Sequence, residues 1–272
     1  MERIGWLNGK WDKPSNLFIP LNNRGLLYGD GIYETVLIYK GKVKLLSSHL
    51  KRWNNSAIIL GMKKPPQEDV LIPLIKYAIN TYLNNNESAA LRLNWSRGNN
   101  FKRGINIDEE NIEESHQFWL EINKIKPFFS SISTKINDHE LRNASSQLSS
   151  HKTFGYSQSI QVLIDANKKG YDDALLKSST GEICCGSTGN ILVKRDNEIL
   201  TPRLESGCLP GIMRSRGISS GLFKEAYINP IPLENDEWLL LNSLSCKSIY
   251  KINDDKLQTT LNARSIWESL LD

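Results

Sequence analysis

Two adjacent cysteines, Cys184 and Cys185, stand in the segment GEICCGSTGN, which otherwise holds mostly small residues and a single acid, Glu182. Cysteines can bind metals, form disulfides or act as thiolate nucleophiles. The chain has four cysteines, but it has no CxxC pair and no histidine at a metal-ligand spacing. The sequence therefore supports neither a metal site nor a disulfide framework.

Six further motifs follow one another along the chain. The first contains a Gly-Asp-Gly turn, in which we expect Gly31 to adopt a positive φ. The fourth contains Lys152, which lies in a serine-rich stretch with few charges. Each motif is weak alone, and their order carries the information. The motifs are RGLLYGDGIYETV (24–36), HLKRWNNSA (49–57), SRG followed by RG (96–104), HKTFGY (151–156), TPRLESGCLPGIMR (201–214) and NSLS (242–245).

Together with GEICCGSTGNILV, this ordered set resembles the fold-type IV pyridoxal-phosphate enzymes, the family of branched-chain and D-amino-acid aminotransferases and 4-amino-4-deoxychorismate lyase. TPRLESG, LPGIMR and residues 242–244 look most like the lyases. SRG with a second RG is similar to the lyases and the D-amino-acid aminotransferases, and unlike the branched-chain enzymes. The resemblance implies an α+β fold with a smaller N-terminal domain and a C-terminal pseudo-barrel domain, pyridoxal 5′-phosphate (PLP) as cofactor, and a homodimer.

The resemblance also assigns cofactor-binding residues. Lys152 matches the lysine that binds the cofactor aldehyde covalently and moves a proton at the substrate carbon, which requires a neutral amine. Arg52 matches the arginine that binds the phosphate, a dianion that suits a forked guanidinium. Tyr156 resembles the tyrosine that hydrogen-bonds the phenolic oxygen, and Leu209 the leucine that packs on the pyridine ring. Ser243 is expected to add a hydroxyl to the phosphate site.

Further positions follow from the same likeness. The backbone amides of Gly211, Ile212 and Met213, at an expected helix start, should bind other phosphate oxygens. Arg97 looks like the residue that receives a substrate carboxylate. Arg103 would supply a second cation, which suits the two carboxylates of aminodeoxychorismate, but GNNFKRG departs from the family spacing and makes Arg103 the weaker match.

Aligned on Gly181 and Asn190, the family segment has a glutamate where this chain has Cys185. That glutamate keeps the pyridine nitrogen protonated, so that the ring can accept electrons. A free thiol has a pKa of about 8.5, and no cation stands beside Cys185 in sequence, so we expect a neutral buried residue. Glu182 should point into the strand turn. The substitution should weaken a transaminase more than a lyase.

We therefore expect a PLP-dependent lyase that converts 4-amino-4-deoxychorismate to 4-aminobenzoate and pyruvate. The enzymatic alternative is an aminotransferase for D-amino acids or branched-chain amino acids. An alternative of another class is a PLP-binding protein with little turnover, because Cys185 replaces the family glutamate.

The elements that must position these residues form two α+β halves. We place an N-terminal domain at 1–124, a linker at 125–130 and a PLP-binding domain at 131–272. Helices are expected over 48–60, with Ser47 or Ser48 as N-cap, and over 68–83. RIGWLNGKW predicts a hairpin, ALRLNWSR a strand, and residues 98–115 an unusually long loop.

Composition limits the protein class. The chain has 272 residues, of which 39% are hydrophobic and 24% charged, as in globular proteins. No apolar run approaches the roughly 18 residues that a membrane helix needs, and the N-terminus lacks a secretory apolar region. The net charge of +4 is scattered along the chain. We expect a cytoplasmic protein that binds neither membranes nor nucleic acid.

Overall fold

The structure is a computed structural model that describes residues 3–100, 102–107 and 116–272. The expected loop at 98–115 thus lies partly outside the described residues. The chain forms two compact units, one running to Lys126 and including Lys152–Gly155, the other containing Pro127–His151 and Tyr156–Asp272. The predicted boundary assigns Lys152 to the second domain, whereas the structure places it in the first unit. The reason is local, because Thr153 forms a β-bridge with Ile32.

The first unit contains a six-stranded sheet in which every strand pair is antiparallel. Its strands are β1 (Arg3–Leu7), β2 (Lys10–Asp12), β3 (Gly31–Tyr39), β4 (Lys42–Val43), β5 (Ser88–Ser96) and β6 (Gln117–Ile125). Their order across the sheet is β2-β1-β6-β5-β3-β4. Within the described residues of this unit, the helices are α1 (Arg24–Tyr28), α2 (Leu46–Ile59) and α3 (Glu68–Tyr82).

Apolar spacing explains how the longer helices pack. Helix α2 buries Leu50, Trp53 and Ala57, at intervals of three and four residues, in the same core as the inward residues of β3 and β5. Helix α2 starts earlier than predicted, at Leu46. Lys44 pairs with Leu37, Leu45 then adopts a left-handed φ of 54°, and the chain enters the helix without a serine cap.

The second unit contains a nine-stranded mixed sheet. Its strands are β7 (Ile132–Arg142), β8 (Asp173–Ser178), β9 (Ile183–Gly186), β10 (Asn190–Arg195), β11 (Glu198–Pro202), β12 (Phe223–Ala226), β13 (Glu237–Leu241), β14 (Cys246–Ile252) and β15 (Asp255–Lys256). Eight of them follow the order β12-β11-β10-β13-β14-β7-β8-β9, and β15 pairs with β14. The helices are α4 (Ser157–Lys168), α5 (Ile212–Ser219) and α6 (Ala263–Ser269).

The Gly-Asp-Gly turn differs from its prediction. Gly29, not Gly31, has the positive φ, at 67°. Gly31 begins β3, and a Cβ there would lie 2.3 Å from the Phe154 ring. Gly31 is therefore required for the close approach of Phe154 rather than for an unusual backbone angle.

Helices and strands are both abundant, so the α+β prediction is confirmed. Among the described residues, no helix has the length and apolar character needed to cross a membrane.

Candidate active site

Lys152 lies against β3 in the first unit. Its backbone oxygen accepts a hydrogen bond from the Tyr33 amide at 2.9 Å. Its Nζ donates to the Tyr33 hydroxyl at 3.2 Å and lies 4.3 Å from the centre of that ring. The Arg92 guanidinium carbon lies 3.6 Å from the same ring centre. Tyr33 thus brings the amine and a fixed cation into one cluster.

Neither Tyr33 nor Arg92 was singled out from the sequence. Tyr33 lies in the Gly-Asp-Gly motif at residues 24–36, so the motif could have indicated it as a site residue. Arg92 stands on β5 in no motif, and its proximity depends on the pairing of Thr35 with Arg92 across β3 and β5. Strand register of this kind cannot be predicted from the residues around Arg92 alone.

Arg52 is held by a buried carboxylate. Its Nε and Nη2 donate to the two oxygens of Glu34 at 2.8 and 2.6 Å. His49 Nδ1 lies 2.7 Å from Glu34 Oε2. The side chains of Glu34 and His49 are 1% exposed, and that of Arg52 is 12% exposed. The bidentate contact fixes the plane of the guanidinium.

The charges in this triad follow from its surroundings. Burial acts to raise the pKa of Glu34, but the Arg52 charge and the His49 hydrogen bond outweigh it and hold that pKa at about 2. Burial lowers the pKa of His49, against the hydrogen bond and charge of Glu34. Glu34 is therefore a carboxylate, and His49 is a neutral imidazole that donates its Nδ1 proton to it.

The second unit places the three predicted backbone donors at the start of α5. Gly211 is the N-cap of this helix, and Ile212 and Met213 form its first turn. The Gly211 amide donates to the Leu209 oxygen at 2.8 Å, so this amide is already engaged within the chain. First-turn amides such as those of Ile212 and Met213 lack intrahelical acceptors and favour an anion. Asn190 Nδ2 donates to the oxygen of half-buried Leu209 at 2.9 Å. A Cβ on Gly211 would lie 2.0 Å from Asn190 Oδ1, so any other residue here would displace the Asn190 side chain.

Two further predicted cofactor-binding residues, both with hydroxyl groups, lie in the second unit. Tyr156 is half-buried, and its backbone oxygen accepts the Ile160 amide at 3.0 Å at the start of α4. Ser243 is half-buried in a turn between β13 and β14. In that turn the Asn242 side chain accepts from the amides of Leu244 and Ser245 at 2.9 and 3.0 Å. The Asn242 contacts fix the backbone that carries Ser243.

The two predicted substrate arginines differ in their surroundings. Arg97 is 8% exposed. Its Nε donates to Asp30 at 2.9 Å, and its Nη atoms donate to the oxygens of Gly61 and Leu60 at 2.7 and 2.9 Å. These contacts link the Gly-Asp-Gly turn to the end of α2. Arg103 lies in the exposed segment 102–107.

Cys185 lies on β9 and is 8% exposed. The structure supplies the cation that the sequence did not show. A hydrogen bond from Cys184 and the charge of Arg142 lower the pKa of the Cys185 thiol, although burial opposes them. Glu182 accepts from the Thr180 hydroxyl at 2.6 Å and lies 4.0 Å from an Arg203 nitrogen. The sequence predicts a neutral buried thiol with no cation beside it, whereas the structure places Arg142 where its charge lowers the pKa of that thiol.

The class IV amino-transferase family model matches residues 31–251. The chain belongs to this family. A candidate branched-chain-amino-acid aminotransferase of Methanocaldococcus jannaschii is 26% identical over 211 residues, 77% of this chain and 71% of the relative. These findings confirm the predicted family and the prediction of an enzyme.

Two solved structures share the fold. A candidate 4-amino-4-deoxychorismate lyase from Legionella pneumophila superimposes with a TM-score of 0.82 at 22% identity, covering 95% of this chain and 96% of that one. A PLP-bound aminotransferase from Brucella abortus gives 0.83 at 18% identity, covering 99% of each chain. The two-domain fold-type IV prediction is thus confirmed.

Class IV enzymes use PLP as cofactor. The residues present fit that group in their chemistry. Lys152 provides an amine, Arg52 a fixed guanidinium, and the first turn of α5 a set of backbone amides. Each unit therefore contains donor groups that suit the predicted cofactor.

Proposed function

We propose that this class IV enzyme is a PLP-dependent lyase that converts 4-amino-4-deoxychorismate to 4-aminobenzoate and pyruvate. The observation that carries the proposal is the cluster at Tyr33, where the Lys152 amine and the Arg92 cation contact one ring. An amine beside a fixed cation suits a substrate that carries both an amine and carboxylates. The likeness of residues 201–214 and 242–244 to the lyases favours a lyase over an aminotransferase.

When bound, PLP withdraws electrons from the amine-bearing carbon of the substrate. In our proposal Lys152 anchors the cofactor, removes the proton at that carbon and returns a proton as pyruvate leaves. The reaction needs no oxidant, because the six-membered ring of the substrate becomes aromatic as pyruvate leaves. Arg52, the amides of Ile212 and Met213, and the Ser243 hydroxyl bind the phosphate, whereas the predicted Gly211 amide donates to Leu209 instead.

The remaining assignments complete the proposal. Tyr156 hydrogen-bonds the phenolic oxygen, and Leu209 packs on the ring. Arg97 and Arg103 remain candidates for the substrate carboxylates, and Arg92 joins them on the strength of its position at Tyr33. The same resemblance leads us to expect a homodimer.

Direct assay tests the reaction. Purified enzyme with PLP and 4-amino-4-deoxychorismate should produce the fluorescence of 4-aminobenzoate together with pyruvate, and Lys152→Ala should abolish both. Production of keto acid from D- or branched-chain amino acids, without 4-aminobenzoate, would reject the lyase.

The aminotransferase is the second candidate, favoured by the 26% identity to the candidate branched-chain enzyme. The third candidate is a protein that binds PLP with little turnover, and the replacement of the family glutamate by Cys185 motivates it. A visible cofactor band that borohydride bleaches, without product from any of these amines, would favour this third candidate.

A further inference from the structure

A β-bulge brings the thiols of Cys184 and Cys185 to the same side of β9. In a regular strand, adjacent side chains point to opposite faces. Here Leu176 of β8 pairs with Cys185 while Lys177 pairs with Ile183, so Cys184 is an extra residue. Both cysteines consequently pack in one buried cluster, which also contains Val162, Ala166, Ala174, Leu176 and Cys208.

Arg142 stands on the same face of this sheet as Cys185. It pairs with Ser178 of β8, and Ser178 lies two residues from Leu176, the partner of Cys185. Because side chains alternate along a strand, these positions share a face. The guanidinium can therefore reach across β8 toward the thiol.

One donor of Arg142 has no oxygen or nitrogen acceptor. Its Nη1 donates to Gln158 at 3.0 Å, but its Nε is buried and lacks a partner among the described residues. A buried N–H of a charged group is rarely left without an acceptor. The Arg142 side chain also makes a hydrogen bond to Cys185, which lowers the pKa of that thiol.

The groups around the thiols separate Cys185 from the other cysteines. The Cys184 hydrogen bond and Arg142 lower the pKa of Cys185, against burial and the charge of Asp173. The hydrogen bond with Cys185 raises the pKa of Cys184. Burial raises the pKa of Cys208 to about 11 and that of Cys246 to about 12. Only Cys185 of these four has surroundings that favour the anion.

We propose that Cys185 is a thiolate held by Arg142 and Cys184, and that it supplies the negative charge that the family glutamate supplies to the cofactor's pyridine nitrogen. The ionisation of Cys185 concerns this chain alone, whereas its role toward the cofactor rests on the proposed function. Cys184 donates its S–H to the anion, and the Arg142 charge stabilises the ionised form. On this assignment the chain keeps an anion at the glutamate position, which weighs against a protein without turnover.

Infrared spectroscopy of the purified holoenzyme at neutral pH tests the ionisation, because the S–H stretching band lies in a window free of other protein absorptions. Cys185→Ser should leave the S–H intensity unchanged. Cys246→Ser, the matched control in a buried thiol on β14, should remove one S–H contribution. Arg142→Met should add one S–H contribution, whereas Arg142→Lys, which keeps the charge, should leave the S–H intensity unchanged. Loss of S–H intensity in Cys185→Ser, equal to that in Cys246→Ser, would overturn the proposal.

Absorbance of bound PLP tests the proposed role of Cys185 at the pyridine nitrogen. Cys185→Ala should lower the pH at which the ring nitrogen loses its proton, while Cys185→Glu should keep it near the wild-type value. An unchanged cofactor titration in Cys185→Ala would reject the role at the ring and leave the thiolate standing. Failure of the wild-type protein to bind PLP would instead reject the proposed function, and the S–H intensities would still decide the ionisation of Cys185.

Discussion

Glu34 determines where the Arg52 guanidinium points, although Glu34 itself is too buried to meet a ligand directly. Two hydrogen bonds to one carboxylate fix both the position and the plane of the arginine. The third hydrogen bond, from neutral His49, prevents the carboxylate from rotating. A long side chain otherwise loses considerable entropy when it binds an anion, and this triad has already ordered it.

Glu34→Gln should therefore weaken binding of PLP much more than binding of pyridoxal, which lacks the phosphate. If the freed guanidinium no longer holds its charged hydrogen bond to the phosphate, Kd should rise roughly tenfold, or by about 1.4 kcal/mol. Fluorescence titration with each compound measures the two Kd values and hence their ratio. Glu182→Gln is the control, since Glu182 is an equally buried glutamate in the second unit. Equal weakening toward both compounds would show that Glu34 has only a structural role.

The same carboxylate should make stability depend on pH. The pKa of Glu34 is about 2 in the folded protein, against 4.5 for an unperturbed glutamate. A depressed folded pKa stabilises the folded state fully above the unfolded value, and this stabilisation disappears as pH falls through about 2. Its pH-dependent part is on the order of 3 kcal/mol. Denaturant unfolding of wild type and Glu34→Gln should therefore differ most above pH 4.5 and converge toward pH 2. A constant difference across that range would contradict the assignment.

At the scale of elements, the segment that carries Lys152 is positioned by β3. The Phe154 amide donates to the oxygen of Gly31 at 2.9 Å, and the Phe154 ring occupies the space where a Gly31 side chain would be. The Tyr33 amide fixes Lys152 from the same strand. Lysine position and strand backbone are therefore coupled through Gly31.

Gly31→Ala should displace Phe154 and lower the free energy of unfolding by about 1 to 3 kcal/mol, as in other overpacked sites. It should also reduce covalent PLP attachment at Lys152, which borohydride reduction and peptide mapping measure. Gly155→Ala provides the control, because its Cβ would meet nothing closer than Thr153 Oγ1 at 3.6 Å. Similar effects of both substitutions would mean that the Phe154 contact does not position the lysine.

Local patterns predicted the elements better than the contacts between them. The apolar spacing of α2 and α3 and the strand ALRLNWSR were visible in the sequence, with errors of one or two residues at helix ends. The proximity of Arg142 to Cys185 was not visible in the sequence, because 43 residues separate them and two strand pairings bring them together. The contact of Tyr33 with Lys152 spans 119 residues. Local propensity contains no information about such register, and only a family resemblance could suggest it.

At the scale of the whole molecule, the family match includes residues of both units, and each unit has a hydrophobic core of its own. The proposed phosphate donors also come from both units, with Arg52 in the first and the start of α5 in the second. PLP bound at the proposed residues of either unit would stabilise the folded state of that unit. A ligand bound only to the folded state adds stability that grows with the logarithm of its concentration.

Thermal unfolding should therefore shift to higher temperature as PLP is added, with a stabilisation of about 2.7 kcal/mol when free cofactor exceeds its Kd a hundredfold. Lys152→Ala should need more PLP for the same shift, because it loses the covalent bond while Arg52 and the α5 amides remain. Lys177→Ala, in a half-buried lysine of β8, should behave as wild type. Arg52→Ala should also weaken the response to PLP but not to pyridoxal, which separates the phosphate site from the lysine. Identical PLP responses in wild type and Lys152→Ala would show that this lysine does not anchor the cofactor, and the proposed reaction would then have no base at the substrate carbon.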